Sequence, residues 1–158
     1  MVAPASAVEQ NGAAADYHAS PIELSPQSLD WMGRVDAEVL GFRRDPHHGF
    51  LLGDMAARAI RIEQAGRPAS YAYISAEGHV GPLAIAGDAD AEGVVTAALS
   101  CALEAGPKQV SMIVPGRADR ILRAVSALGF RIVEPYVLMS AKPFGNWSNY
   151  LPSNPGYM

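Results

Sequence analysis

The chain has 158 residues, 49% of them hydrophobic, and a formal net charge of −4. That is the size of one domain with enough apolar content for a proper core, which excludes global disorder. The acidic balance gives no ground for nucleic acid or an anionic membrane as partner. No apolar run approaches spanning length, and the single cysteine, Cys101, has no internal partner for a disulfide.

Residues 1–22 are rich in Ala with scattered Ser, Pro and Gly and show no periodicity, which predicts a disordered tail. This tail lacks a basic region followed by an apolar stretch, so a cytoplasmic location is the expectation. Ser25-Pro26 is a helix start, with Ser as cap and Pro in the first turn; Leu29, Met32, Val35 and Val39 follow on one side and Gly41 closes the helix. Asp45-Pro46 repeats the start signal for a shorter helix carrying Leu51, Leu52, Met55 and Ala56, to about Arg58.

Alternation begins at Ile60. Ile60 to Glu63 reads as a strand, Ala65-Gly66-Arg67-Pro68 as a turn, and Ala69 to Ser75 as a second strand with Tyr71 and Tyr73 on one face. Glu77-Gly78 turns again and His79 to Ile85 is the third strand of an antiparallel meander. Pro82 lacks an N–H, so pairing must fail near it. Asp88 and Asp90 are natural caps for the next helix. Its polar stripe of Glu92, Thr96, Ser100 and Glu104 lies opposite Val95, Ala98, Leu99, Ala102 and Leu103, and Gly106-Pro107 ends it. Cys101 within it reads as a buried structural thiol.

Gln109 to Val114 is a fourth strand, parallel to the third because a helix connects them. Ala118 to Leu128 is a helix with Ile121, Leu122, Val125 and Leu128 inward; Gly129 ends it. Phe130 to Val133 and Tyr136 to Ala141 read as two last strands. Residues 142–158 form an aromatic, Pro-punctuated tail. Trp147, Tyr150, Leu151 and Tyr157 there are expected to pack on the domain or across a homodimer contact.

This order of elements, the strand-to-helix unit from Leu83 to Leu103, and the Leu128-Gly129-Phe130 junction resemble the GNAT family of acyl-CoA-dependent N-acetyltransferases over residues 23–141. The resemblance implies an α/β fold with a mixed sheet: an antiparallel meander, a parallel central pair and helices on both faces. It implies that the third and fourth strands splay, here after Leu83, and that the pantetheine arm of acetyl-CoA pairs with the backbone of Leu83, Ala84 and Ile85. The diphosphate would then lie on the first turn of the following helix, at Glu92, Gly93, Val94, Val95 and Thr96. The reaction implied is direct attack of a small-molecule or peptide amine on the thioester.

The chain departs from the family pattern at both chemical positions. Ala91 stands where the pattern has Gln or Arg, and Val94 and Thr96 stand in place of its two glycines; only Gly93 lies nearby, one residue out of register. Val125 replaces the Tyr that protonates the leaving thiolate, and Ala118 matches the family's Asn, with Asp119 reading as an N-cap. The catalytic residues are therefore unknown. His79, Tyr71, Tyr73, Glu134 and Tyr136 remain as polar groups on the strands, each more often structural. The alternative reading is a catalytically degenerate GNAT-like domain that binds a ligand or a partner. His47-His48 point to different helix faces and make no metal pair, and Phe42-Arg43-Arg44 reads as a solvated basic loop.

Overall fold

A computed structural model describes residues 1–11, 16–53 and 58–154. The elements run β1 (Val2–Pro4), α1 (Ala5–Asn11), β2 (Tyr17–Ile22), α2 (Pro26–Leu40), α3 (Asp45–Gly53), β3 (Arg58–Gln64), β4 (Arg67–Ile74), β5 (His79–Ile85), α4 (Ala91–Leu103), β6 (Gln109–Met112), α5 (Asp119–Ala127) and β7 (Tyr150–Leu151). They build an open seven-stranded sheet in the order β1-β6-β5-β4-β3-β2, with β7 paired to β5. Among the described residues, only β5 and β6 are parallel; every other strand pairing there is antiparallel.

Local chemistry accounts for the meander and its helices. Ser25 Oγ accepts from the Ser28 N–H at 3.1 Å to start α2, and Gly41 closes it at φ 85° with its N–H on the Ala37 carbonyl. The β3–β4 hairpin turns on Ala65 and Gly66, both at positive φ (51° and 75°), as a two-residue turn matched to strand twist requires. Opposite Gly81-Pro82 the β4–β5 register shifts between Ala72 and Ile74, so the pairing fault falls beside the residue that has no N–H. One face of the sheet packs α4 and α5 through Leu83, Ile85, Val94, Val95, Leu99, Ile121 and Val125. The other packs α2 through Met32, Val35, Val39 and Leu40 against Tyr71, Tyr73, Ala84 and Tyr150.

Four readings change. Residues 1–22 carry β1, α1 and β2, not an irregular tail. β2 pairs along β3 from Tyr17↔Gln64 to Ile22↔Ala59, and β1 pairs along β6 from Val2↔Ser111 to Pro4↔Gln109. Both are recruited by open sheet edges, which a side-chain pattern does not reveal. Among the described residues the last two expected strands do not form, and of their positions only Arg131 makes an isolated bridge, to Val2. β1 takes the outer edge of β6, and Arg131 meets the far side of β1 at Val2 alone among the described residues. β5 and β6 part after Val80, three residues before the expected point, with His79↔Ser111 and Val80↔Met112 as their only paired positions. Asp119 is the first residue of α5, not its cap; Ala118 holds that position without a side-chain bond. The expected helix positions Met55 and Ala56 lie outside the described residues.

Candidate functional site

Where β5 and β6 part, the chain's own C-terminal segment fills the opening. Leu151 sits opposite Leu83 and Tyr150 opposite Ala84. The Ile85 N–H donates to the Asn149 carbonyl at 2.9 Å, and Asn149 Nδ2 donates back to the Ile85 carbonyl at 3.3 Å. On its other side the same stretch pairs with β4, Leu83 with Ala72, Ala84 with Tyr71 and Ile85 with Ser70. Tyr150 and Leu151 are fully buried. The backbone edge that the family resemblance assigns to pantetheine is thus engaged by β7.

The first turn of α4 is also engaged from within. Asp90 accepts from the N–H groups of Glu92 (3.3 Å) and Gly93 (3.0 Å), and the Val94 N–H goes to the Asp90 carbonyl at 3.0 Å. Tyr17 lies over this turn: a Cβ on Gly93 would collide with its ring, and its hydroxyl lies 3.4 Å from Asp90. Gly93 therefore serves contact with β2. Val94 and Val95 are fully buried, and the Thr96 hydroxyl donates to the Glu92 carbonyl at 2.9 Å.

Beyond the paired part of β6 lies a cavity of about 420 Å³. Ile113, Val114, Leu122, Trp147 and Pro152 form its apolar walls, Ile132 and residues 134–138 also line it, and Arg117, Glu134 and Tyr136 bring polar groups to it. Tyr136 donates to Glu134 at 2.5 Å. Pockets of this size with mostly apolar walls and a few polar groups are the usual form of small-molecule sites.

The other face of the sheet buries a polar network. Asp36, on the core side of α2, accepts from Arg44 Nε at 2.8 Å, Arg44 Nη2 at 3.1 Å, His48 Nε2 at 2.8 Å and the Tyr71 hydroxyl. Arg44 also donates to the hydroxyls of Tyr150 (2.7 Å) and Tyr71 (2.8 Å). Asp36 is acceptor only, so His48 Nε2 carries a proton there, and Nδ1 meets the Tyr73 hydroxyl at 3.0 Å. Burial pushes the Asp36 carboxyl up, but hydrogen bonds from His48 and Arg44 outweigh it and hold the group below its ordinary value. Burial, with Asp36 adding to it, raises the Tyr71 and Tyr73 phenols, which stay protonated as donors. None of these six side chains lines the cavity. The arrangement ties α2, the α2–α3 connection, α3, β4 and β7 together, and through Tyr150 it clamps β7 in place.

The expected polar candidates fall apart spatially. Tyr71 and Tyr73 belong to the buried network. His79 bonds Ser111 Oγ at 2.9 Å beside β6, and burial lowers its pKa. Glu134 and Tyr136 sit at the cavity. Val125 and Ala118 are buried core residues. The solvated reading of Arg44 is overturned, since only 7% of it is exposed and it pairs with fully buried Asp36; Arg43 alone stays half-exposed, on Asp30 and Asp45. One signal for the network stands in the sequence: Asp36 interrupts the apolar stripe of Met32, Val35, Val39 and Leu40.

The fold and site define an open mixed-sheet α/β domain with a filled central cleft. Among the described residues no helix is long and apolar enough to cross a membrane. Comparison of the chain with protein-family models, curated proteins and solved structures finds no match.

Proposed function

We propose that this chain is a GNAT-like domain that works as a binding module, taking a small amphipathic ligand into the cavity beside β6. One observation carries the reading: β7 lies along Leu83, Ala84 and Ile85, where the family resemblance would put the pantetheine arm. The capped first turn of α4 supports it, because the N–H groups that would meet a diphosphate already bond Asp90. The cavity's apolar walls suit a compact apolar body, and Arg117 at its lining suits an anionic end.

The acetyltransferase reading is favoured by a different observation, the parting of β5 and β6 after Val80. It needs β7 to leave, the thioester of acetyl-CoA to lie along β5, and an amine to attack it while backbone N–H groups hold the oxyanion. Calorimetric titration separates the two. Acetyl-CoA and free CoA should give no saturable heat, whereas anilinonaphthalene sulfonate, an anionic aromatic probe, should bind one to one and lose that binding in Val114→Trp, which fills the cavity. Saturable acetyl-CoA binding, tighter than that of free CoA, would overturn the binding-module reading.

A further inference from the structure

The cavity beside β6 holds two opposite charges that do not meet. Among the described residues, Arg117 and Glu134 are the charged side chains that line it. Both are exposed, and neither forms an ion pair, with the other or with any further described residue. They come from separate stretches, Arg117 just ahead of α5 and Glu134 beyond it. The Arg117 carbonyl accepts from Ser148 Oγ at 3.1 Å, which ties its backbone to the segment that leads into β7. Glu134 accepts from the Tyr136 hydroxyl at 2.5 Å. That bond pushes the Tyr136 phenol up, so it stays a donor. A carboxylate has about four lone-pair sites, and Glu134 keeps room for a further donor.

We infer that the cavity takes a small zwitterion: a compact apolar body carrying an ammonium for Glu134 and a carboxylate for Arg117. The inference rests on the binding-module reading and adds to it the charge of the ligand. A purely anionic ligand satisfies Arg117 and brings its charge towards Glu134. A purely cationic one reverses the conflict. A ligand with both ends satisfies both side chains and leaves the cavity neutral.

The groups suit those ends. The guanidinium fork of Arg117 matches a carboxylate in two parallel bonds. An ammonium has three donors and no acceptor, as the Glu134 carboxylate requires. Tyr136 and Trp147 bring aromatic rings to the same lining, which favours a cation there too. The wall between the ends is firm. Trp147 Nε1 donates to the Phe144 carbonyl at 2.8 Å, and its ring packs edge-on against Phe144 and Tyr150. A volume of about 420 Å³ lies near the lower end of the ~300–1,000 Å³ range of small-molecule sites, which selects a single ring over a nucleotide.

Displacement of anilinonaphthalene sulfonate at pH 7 tests the inference with two zwitterions of different charge spacing. Phenylalanine is set against hydrocinnamate, which lacks its amine, and phenethylamine, which lacks its carboxylate. The rigid para-aminomethylbenzoate is set against para-toluate and benzylamine in the same way. At least one zwitterion should bind about two- to fivefold tighter than both of its single-charge counterparts, the range an exposed ion pair supplies. In Arg117→Gln it should bind no better than the amine, and in Glu134→Gln no better than the acid. Both positions are exposed, so these variants fold. If the probe itself does not bind, the binding-module reading fails and the inference with it. If the probe binds but neither zwitterion is preferred, or the preference survives either substitution, the inference alone is overturned.

Discussion

The Asp36 network makes the sharpest stability prediction. Asp36→Asn keeps the shape of the side chain and removes its charge. Arg44, only 7% exposed, then loses its counter-ion and two charge-assisted bonds, while His48 and Tyr71 face a weaker acceptor. Breaking a buried pair by removing one partner costs ~3–5 kcal/mol, most of it the uncompensated charge left behind. Retention of the amide oxygen argues for the lower end, a fall in melting temperature of roughly 6–12 °C for a chain of this size. Replacing both Asp36 and Arg44 with Leu and Met removes the stranded charge, so the double variant should lose less than the two single variants combined. Urea unfolding followed by tryptophan fluorescence reads this directly, since Trp31 and Trp147 both pack against this half of the core. The same experiment has a pH signature. The folded carboxyl titrates below its ordinary value of 3.8. Its stabilisation is therefore complete above that pH and is lost as pH falls through the lower folded value, where the unfolded chain binds the proton first. Wild type should weaken more steeply than Asp36→Asn below about pH 4. A loss under about 1 kcal/mol at pH 7, or parallel pH profiles, would refute the view that this network clamps the fold.

Two further predictions concern the backbone. Gly78→Ala should cost at least ~2 kcal/mol in chemical denaturation, because Gly78 sits at φ 86° and a Cβ would stand 2.6 Å from the Gln109 carbonyl oxygen; an unchanged denaturation midpoint would contradict that. Asp90→Ala should cost about 1 kcal/mol by loss of the α4 cap. It should create no acetyl-CoA binding in calorimetry, because β7 still occupies the β5 edge; a new binding isotherm would make the cap, not β7, the barrier.

Elements whose cause is local were legible in the sequence. The Ser25-Pro26 start and Gly41 stop of α2, the Ala65-Gly66 turn, the meander and α4 all rest on capping, turn chemistry or periodicity within one short window. The parallel β5–β6 pair followed from its helical connection. What escaped depends on occupancy at long range. Nothing local in Val2–Pro4 announces pairing with Gln109–Ser111, and once that edge is taken, the strand-like pattern of residues 130–141 keeps, among the described residues, just the bridge from Arg131 to Val2. The site was legible only in part. The missing glycines at Val94 and Thr96 already spoke against a phosphate cradle, yet the ring of Tyr17 over Gly93 needed the fold. The Asp36 network was hidden because Arg44 and His48 look like loop and helix-surface residues until Tyr71, Tyr73 and Tyr150 converge on them.

The insertion of β7 beside β5 has a consequence for how the chain acquires its structure. Residues from opposite ends of the sequence flank the parting of β5 and β6: Val2–Pro4 on the outer edge of β6, and Tyr150–Leu151 in the opening. A nascent chain that has emerged only as far as Gly145 holds every partner of the meander but presents Leu83 to Ile85 as a bare apolar edge. Its central cleft stays open until the closing segment arrives. Closure across so much intervening sequence is slow compared with the hairpins. During that interval the exposed edge is free to take strands from other chains. In the folded chain the strand that closes the cleft ends on a polar partner held from the other side, since Arg44 donates to both Asp36 and the Tyr150 hydroxyl.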